Sequence, residues 1–375
     1  MFLAVATTSF GVEAVLKREL QSLGYEIVRS DNGRVYFHVN TQGVIEANMH
    51  LRTAERVFIV LGSQKVLTYD NLFDWVKQLS IAPLVSKEGQ FVINAKSVKS
   101  VLYSLRDIQS IVKKSMVENL KASFKTDTLS ETKARYDFLL NLQQNQAELW
   151  LDTSGQGLHK RGYRTQQGEA PIKETLAAAL VLLSFYDESR ILYDPFCGSG
   201  TIVIEAAMIA LNIAPGLQRS FAFETHQWAN LEEFKTVKKQ AYQNIRHDLE
   251  SKIYASDRDP KMVAMAEENA ISAGVDSMIS FEVAQFNHKV FDQPYGIIIT
   301  NPPYGERLEE KETIHLLYED IGKMMLTKQD YSYYVITSTP QIEKIVKRQA
   351  DRTRVLYNGN IKSRYYQFYG PKPRQ

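Results

Sequence analysis

The sequence predicts an α/β chain, with an open, largely parallel sheet in its second half and a smaller α+β region before it. Three observations carry this. The apolar run Gly296-Ile297-Ile298-Ile299 reads as a fully buried parallel strand and leads into Thr300-Asn301-Pro302-Pro303-Tyr304-Gly305. A second strand, Ile191-Leu192-Tyr193, runs into Asp194-Pro195-Phe196-Cys197-Gly198-Ser199-Gly200-Thr201 and then an apolar helix, Ile202–Leu211. The first 60 residues alternate strand, helix, strand, strand, helix, strand.

Length and composition set the frame. The chain has 375 residues, enough for two or three domains, with 44% hydrophobic and 23% charged residues. Cys197 is the single cysteine, so no internal disulfide forms and a reducing compartment is expected. No apolar run reaches the length of a membrane span, and Met1-Phe2-Leu3-Ala4 lacks a basic leader, so a cytoplasmic protein is expected. Net charge is +2, but residues 87–125 hold eight Lys/Arg against three acids, and 341–375 hold nine against two. Such local basic fields fit a polyanion or an ordinary solvated surface.

In order, 2–8 reads as a strand, and Gly11–Gly24 as a helix with Val12, Val15, Leu16, Leu20 and Leu23 on one face. Strands at Glu26–Arg29 and Arg34–Val39 flank Asp31-Asn32-Gly33, a hairpin signal. A helix over 42–55 and a strand Val57–Leu61 complete a ferredoxin-like order. Beyond come a short helix at 71–80, a strand Phe91–Asn94, and a helix Ser104–Ser123 striped by Leu105, Ile108, Ile111, Val112, Met116 and Leu120. Lys113, Lys114, Lys121 and Lys125 lie off that stripe. Strands Tyr136–Leu142 and Ala147–Leu151 follow, across Gln143-Gln144-Asn145-Gln146. This layout, with Phe91-Val92-Ile93-Asn94-Ala95-Lys96-Ser97 before a basic helix, resembles a THUMP domain, an RNA-binding module. The resemblance spans roughly 43–155, overlapping the ferredoxin-like part at 1–60, and implies RNA contacts from Lys96, Lys113, Lys114 and Lys121.

Residues 156–170 read as a linker whose basic cluster, Lys160, Arg161 and Arg164 around Tyr163, offers contacts for phosphates and a base. From 171 to 375 the pattern is that of the α/β sheet, opened by Pro171 and the helix Ile172–Leu183. Gly198 and Gly200 permit a tight turn and close backbone approach to a ligand. Without the third glycine of a dinucleotide fingerprint, and with Asp194 leading the loop, a cation such as an α-ammonium group suits the site better than a phosphate. Strand Lys252–Ser256 delivers Asp257-Arg258-Asp259-Pro260. Asp257 suits a ribose diol, and Asp259 equally suits the N-cap of the next helix. Met278–Val283 delivers Ala284-Gln285-Phe286 to meet an adenine edge. Asn301, the carbonyls of Pro302 and Pro303, and the ring of Tyr304 suit a flat heterocycle with an exocyclic amine. Tyr331–Thr337 is a further strand, and 352–357 with 364–369 close the sheet as a hairpin around Asn358-Gly359-Asn360. Cys197, inside the glycine loop, is not read as a nucleophile.

The order of glycine loop, acidic residue, third strand and Asn-Pro-Pro-Tyr resembles the Rossmann-like class I S-adenosylmethionine-dependent methyltransferases. With the N-terminal half, the chain resembles the THUMP-containing RNA guanine-N2 methyltransferases. Its layout is similar to the N-terminal half of the bacterial 23S ribosomal RNA members, which continue into a second methyltransferase domain. The stretches Gly305-Glu306-Arg307-Leu308 and 211–251 share in the likeness. The resemblance implies S-adenosyl-L-methionine bound by residues 194–201, Asp257, Arg258, Ala284, Gln285, Phe286 and Asn301. It implies an RNA partner, ribosomal for preference, with no metal and no membrane, and a monomer is assumed. Three activities stay open: guanine-N2 methylation of ribosomal or transfer RNA, adenine-N6 methylation of RNA or DNA, and RNA binding without catalysis.

Overall fold

The computed structural model describes residues 1–164, 172–250, 252–286, 293–303, 311–339, 342–359 and 361–372. Among these residues the chain forms two compact units. The first comprises Met1–Thr8, Lys17–Leu158 and Arg219–Gln240; the second comprises Ser9–Leu16, His159–Gln218 and Ala241–Gln375. No described helix is long and apolar enough to cross a membrane.

The first unit is built on one sheet of seven strands. Strands β1 (Phe2–Thr7), β2 (Ile27–Asp31), β3 (Arg34–Val39) and β4 (Arg56–Lys65), with helices α1 (Glu13–Ser22) and α2 (Thr41–His50), follow the expected order. The hairpin turns at Asn32-Gly33, where Gly33 has φ +73. Then come α3 (Tyr69–Lys77), β5 (Gln90–Val98), α4 (Leu105–Phe124), β6 (Arg135–Gln143) and β7 (Gln146–Asp152). The sheet order is β2-β3-β1-β4-β7-β6-β5. The sequence reading divided this region into two overlapping pieces. Strand β4 runs through the overlap, its first half pairing with β1 and Phe58–Lys65 pairing with β7. The register shifts between Val60 and Gly62, and a Cβ at Gly62 would stand 2.6 Å from Leu79 Cδ2, so a larger residue there would have to displace that side chain.

Residues Arg219–Gln240, expected within the second domain, belong to the first unit. Phe223 is fully buried, the His226 ring stacks on Tyr136 at 4.4 Å, and Gln227 donates to the carbonyl of Ala82 at 3.3 Å. Aromatic burial outweighs sequence proximity here. Burial pushes the His226 imidazole down to about 4, so it is neutral at physiological pH.

The second unit carries α5 (Glu174–Leu182), β8 (Leu192–Asp194), α6 (Thr201–Ala210), β9 (Ile253–Asp257) and α8 (Pro260–Ala273), whereas α7 (Leu231–Gln243) lies largely in the first unit. The second unit continues with β10 (Ile279–Val283), β11 (Ile297–Thr300), α9 (Lys311–Thr327), β12 (Ser332–Thr337), α10 (Ile342–Ile345), β13 (Arg352–Asn358) and β14 (Ile361–Phe368). Strand order is β10-β9-β8-β11-β12-β14-β13. Strands β8 to β12 pair in parallel, and β14 runs antiparallel to both β12 and β13. Tyr333, Tyr334, Val335 and Ile336 are fully buried, and Ile297, Ile298 and Ile299 are at most 3% exposed, as a parallel sheet covered on both faces requires. Progression along the sheet reverses at β8, flanked by β9 on one side and β11 on the other. In an open α/β sheet the ligand crevice lies at such a reversal, beyond the strands' C-terminal ends. Pro171, the expected start of α5, lies outside the described residues; the helix begins at Glu174.

Candidate active site

The C-terminal end of β8 delivers Asp194, which is 1% exposed. Its Oδ1 accepts from Thr300 Oγ1 at 2.7 Å and from the Phe196 N–H at 3.1 Å. Burial raises its pKa to about 7; the Thr300 and Phe196 hydrogen bonds hold it down, and the nearby Asp257 charge adds to the rise. A carboxyl in this state gains from a cation placed against it.

The glycine loop follows, and its two glycines serve different ends. Gly200 has φ +80, and a Cβ there would lie 2.9 Å from Ala266 Cβ, so it lets α6 and α8 approach closely. Gly198 has φ +50, and a Cβ there would meet nothing within 4 Å, so its bare backbone faces open space. Gly200 caps α6 without a side-chain hydrogen bond, leaving the first-turn N–H groups uncapped by side chains. Pro195, Ser199 and Thr201 are buried, and Asn269 Nδ2 holds the loop by donating to the Ser199 carbonyl at 3.1 Å. Cys197 is buried too, and burial pushes its thiol well above the ordinary range, which disfavours a thiolate.

Asp257, at the end of β9, ties two loops together. Its Oδ2 accepts from the Gly198 N–H at 3.1 Å and its Oδ1 from the Asp259 N–H at 3.0 Å. A carboxylate has about four lone-pair positions, so capacity remains for a diol. Asp259 accepts from the Lys261 N–H at 2.9 Å and is the N-cap of α8, the capping role the sequence offered it. Arg258 and Gln285 are exposed and Ala284 is half-buried, its N–H donating to the Asp257 carbonyl at 3.1 Å. Phe286 is the residue expected at an adenine edge. It is 6% exposed and stacks on Phe196 at 5.2 Å, packed in the core cluster with Tyr193 and Ile298.

On the other side of β8, β11 ends at Thr300. Asn301 is half-buried, Pro302 buried and Pro303 exposed. Tyr304 and Gly305-Glu306-Arg307-Leu308 lie outside the described residues. The structure therefore brings Asp194, the glycine loop, Asp257 and Asn301 to one end of one sheet. Sequence reasoning missed Thr300, whose hydroxyl joins the two loops; its only signal was its position at the strand end before Asn301.

Arg161 and Arg164 were expected on a linker surface. Arg161 is instead 2% exposed, its guanidinium 3.3 Å from Glu205 on α6, and Tyr163 Oη donates to the same carboxylate at 3.2 Å. Arg164 donates to Thr201 Oγ1 at 2.5 Å and to the Ile172 carbonyl at 3.0 Å, and lies 3.5 Å from Glu174. Buried cations need partners, and the carboxylates of α5 and α6 supply them. Both arginines brace the helix behind the glycine loop. Lys160 is exposed. In the first unit, Lys113 Nζ donates to the Phe91 carbonyl at 2.6 Å and to Glu131 at 2.7 Å. Lys114 is exposed with Nζ 5.8 Å from the centre of the Phe73 ring, Lys96 is exposed, and Lys121 is half-buried. No described group of three or more His, Cys, Asp or Glu could hold a metal ion.

Residues 161–367 match the family model described as RMKL-like, methyltransferase domain, and residues 4–58 match the RlmL ferredoxin-like domain. The chain belongs to this family. As an RMKL-like protein it is a methyltransferase, and its N-terminal part is the ferredoxin-like domain. It is 42% identical over 367 residues to the Bacillus subtilis (strain 168) protein YpsC, whose name assigns it provisionally to the RNA methyltransferases; this covers 97% of the chain and 95% of YpsC. A solved protein from Listeria monocytogenes, named as a predicted N6-adenine-specific DNA methylase, is 40% identical with TM-score 0.94, over 99% of this chain and 96% of that one. SMU.472, named as a methyltransferase candidate and solved in complex with SAH, is 37% identical with TM-score 0.94, over 100% and 99%.

Proposed function

We propose that this methyltransferase uses S-adenosyl-L-methionine to methylate the exocyclic N2 amine of a guanine in RNA, with ribosomal RNA, 23S for preference, as the substrate, in the cytoplasm. The observation that carries the reading is the hydrogen bond from Thr300 to Asp194. It ties the strand end before Asn301 to the head of the glycine loop, which supports an amine acceptor and a methyl donor meeting at one mouth.

The residues fit the methyl donor. Asp194 would take its α-ammonium group, the open backbone at Gly198 would let it approach, and Asp257 would accept from its ribose hydroxyls. When bound, S-adenosylmethionine supplies a methyl group on a positively charged sulfur. The chain's own work is on the acceptor. An aryl amine is a poor nucleophile because its lone pair is delocalised into the ring. The Asn301 side-chain oxygen and the Pro302 carbonyl accept from the amine's N–H groups and return density to nitrogen. Tyr304 is assigned from sequence alone as the face on which a flipped base stacks. Positioning supplies most of the acceleration. The amine proton becomes acidic once nitrogen is alkylated, so no strong base is required. The SAH in the related SMU.472 structure supports the cofactor, and YpsC's name supports RNA.

A second reading is adenine-N6 methylation, favoured by the name of the Listeria relative. Mass spectrometry of nucleosides from a deletion strain, complemented by the intact gene, separates the two. Loss of N2-methylguanosine from ribosomal RNA is the expected result. Loss of N6-methyladenosine replaces the first reading with the second, and loss from transfer RNA alone changes the substrate.

A further inference from the structure

We infer that the turn joining β5 to α4 is a contact for an unpaired stretch of RNA, with Tyr103 as the platform on which one base stacks. This rests on the proposal that the substrate is RNA. Tyr103 is 82% exposed, and Val101, Leu105 and Val98 beside it are 59%, 44% and 40% exposed. Scattered surface apolar residues are ordinary, but four within eight positions of one turn form a patch.

The turn is held firmly. Ser97 Oγ donates to the Leu102 carbonyl at 2.6 Å, and Leu102 itself is 5% exposed, a peg beneath the turn. The Val101 N–H donates to Asn145 Oδ1 at 2.8 Å, and the Asn145 N–H donates back to Ser100 Oγ at 2.9 Å. The Gln144 N–H donates to the Val98 carbonyl at 3.0 Å. Ser104 then caps α4 by accepting from the Asp107 N–H at 3.4 Å. A rigid frame that presents a full aromatic ring to solvent loses little conformational entropy when a ring stacks on it.

Charge selects the partner. Lys96, Lys99 and Arg106 are exposed around the patch, and Asp107 is the one acid from 96 to 107. The β6–β7 turn packed against it contributes neutral amides, Gln143, Gln144, Asn145 and Gln146. Cations around an exposed ring suit phosphates flanking a base. The basic face of α4 offers less, because Lys113 is engaged by Glu131 and the helix also carries the acid Glu118, paired with Lys77 of α3 at 3.0 Å. Duplex bases are already stacked, so the ring discriminates for single strands.

The test measures anisotropy of a fluorescein-labelled oligouridylate and of a labelled hairpin duplex with the full chain. Tyr103→Ala should weaken the single strand about tenfold at unchanged salt slope, and leave the hairpin within about twofold. Tyr103→Phe should stay within about twofold of wild type on both. Lys99→Ala and Arg106→Ala should each lower the salt slope on both. An exposed side chain leaves the fold intact, which an unchanged melting temperature verifies. Equal affinity of Tyr103→Ala for the single strand, or an equal loss on both probes, overturns the stacking role while wild-type RNA binding keeps the substrate reading. Failure of the wild type to bind either probe overturns both; the apolar patch would then fit a protein partner.

Discussion

Acidic residues at the glycine loop and basic residues on α4 are held in different ways. Asp194 and Asp257 each accept a backbone N–H, and Asp194 a hydroxyl as well, so their oxygens point in fixed directions. On α4 the ammonium groups have no common arrangement: Lys113 is drawn to a carbonyl and a carboxylate, while Lys114 leans over a ring. A small-molecule site is made by fixing a few groups; a polyanion surface is made by a field that many interchangeable groups share. Single substitutions should therefore act sharply on the first and weakly on the second.

The largest expected effect sharpens that contrast at Arg161, which sequence placed with the surface and the structure places in the interior. Arg161→Ala leaves the fully buried Glu205 without its cation and should cost about 3–5 kcal/mol of stability, read from denaturant unfolding. Unchanged stability with weaker RNA binding would return it to the surface class. Next, Asn301→Ala removes an acceptor needed most as nitrogen becomes positive. Turnover should fall about 10²-fold or more with cofactor affinity intact, measured by single-turnover kinetics alongside calorimetry. Asp257→Ala should weaken cofactor binding by about 1–3 kcal/mol in the same calorimeter, the cost of hydroxyls left unpaired. Binding of NAD in place of S-adenosylhomocysteine would break the comparison outright.

Asp194 makes a pH prediction. Its pKa is raised to about 7, so the ionised form that attracts an ammonium is fully present above that value and is lost as pH falls below it. Affinity for S-adenosylhomocysteine should drop up to about tenfold per pH unit below 7, and the dependence should flatten in Asp194→Asn. The smallest effect belongs to the shared field. Lys114→Ala should lower the salt slope of RNA binding by about one and change affinity only a few-fold. A hundredfold loss would mean that Lys114 is fixed like an active-site group.

Where structure depends on local pattern, the sequence was readable. Asp194 to Thr201 and Asn301 to Pro303 announce themselves because a turn at a strand end needs those residue types within a few positions. The Asn32-Gly33 turn was legible for the same reason. Long-range relations were not. The Thr300–Asp194 bond depends on β11 lying beside β8, and nothing near either residue states that pairing. Charge counts carry no depth, so Arg161 looked like Lys160. Phe286 follows a strand end, and nothing in the local sequence announces that its ring stacks on Phe196.

The passage of Arg219–Gln240 into the first unit has a consequence in time. A chain emerging from a ribosome presents all seven strands of the first sheet before residue 158 is complete, yet Phe223 and the His226 ring that covers Tyr136 are still unmade. At about 5–20 residues per second, the nascent sheet waits several seconds with that aromatic surface uncovered. A ribosome stalled between codons 158 and 219 would leave the first unit unfinished.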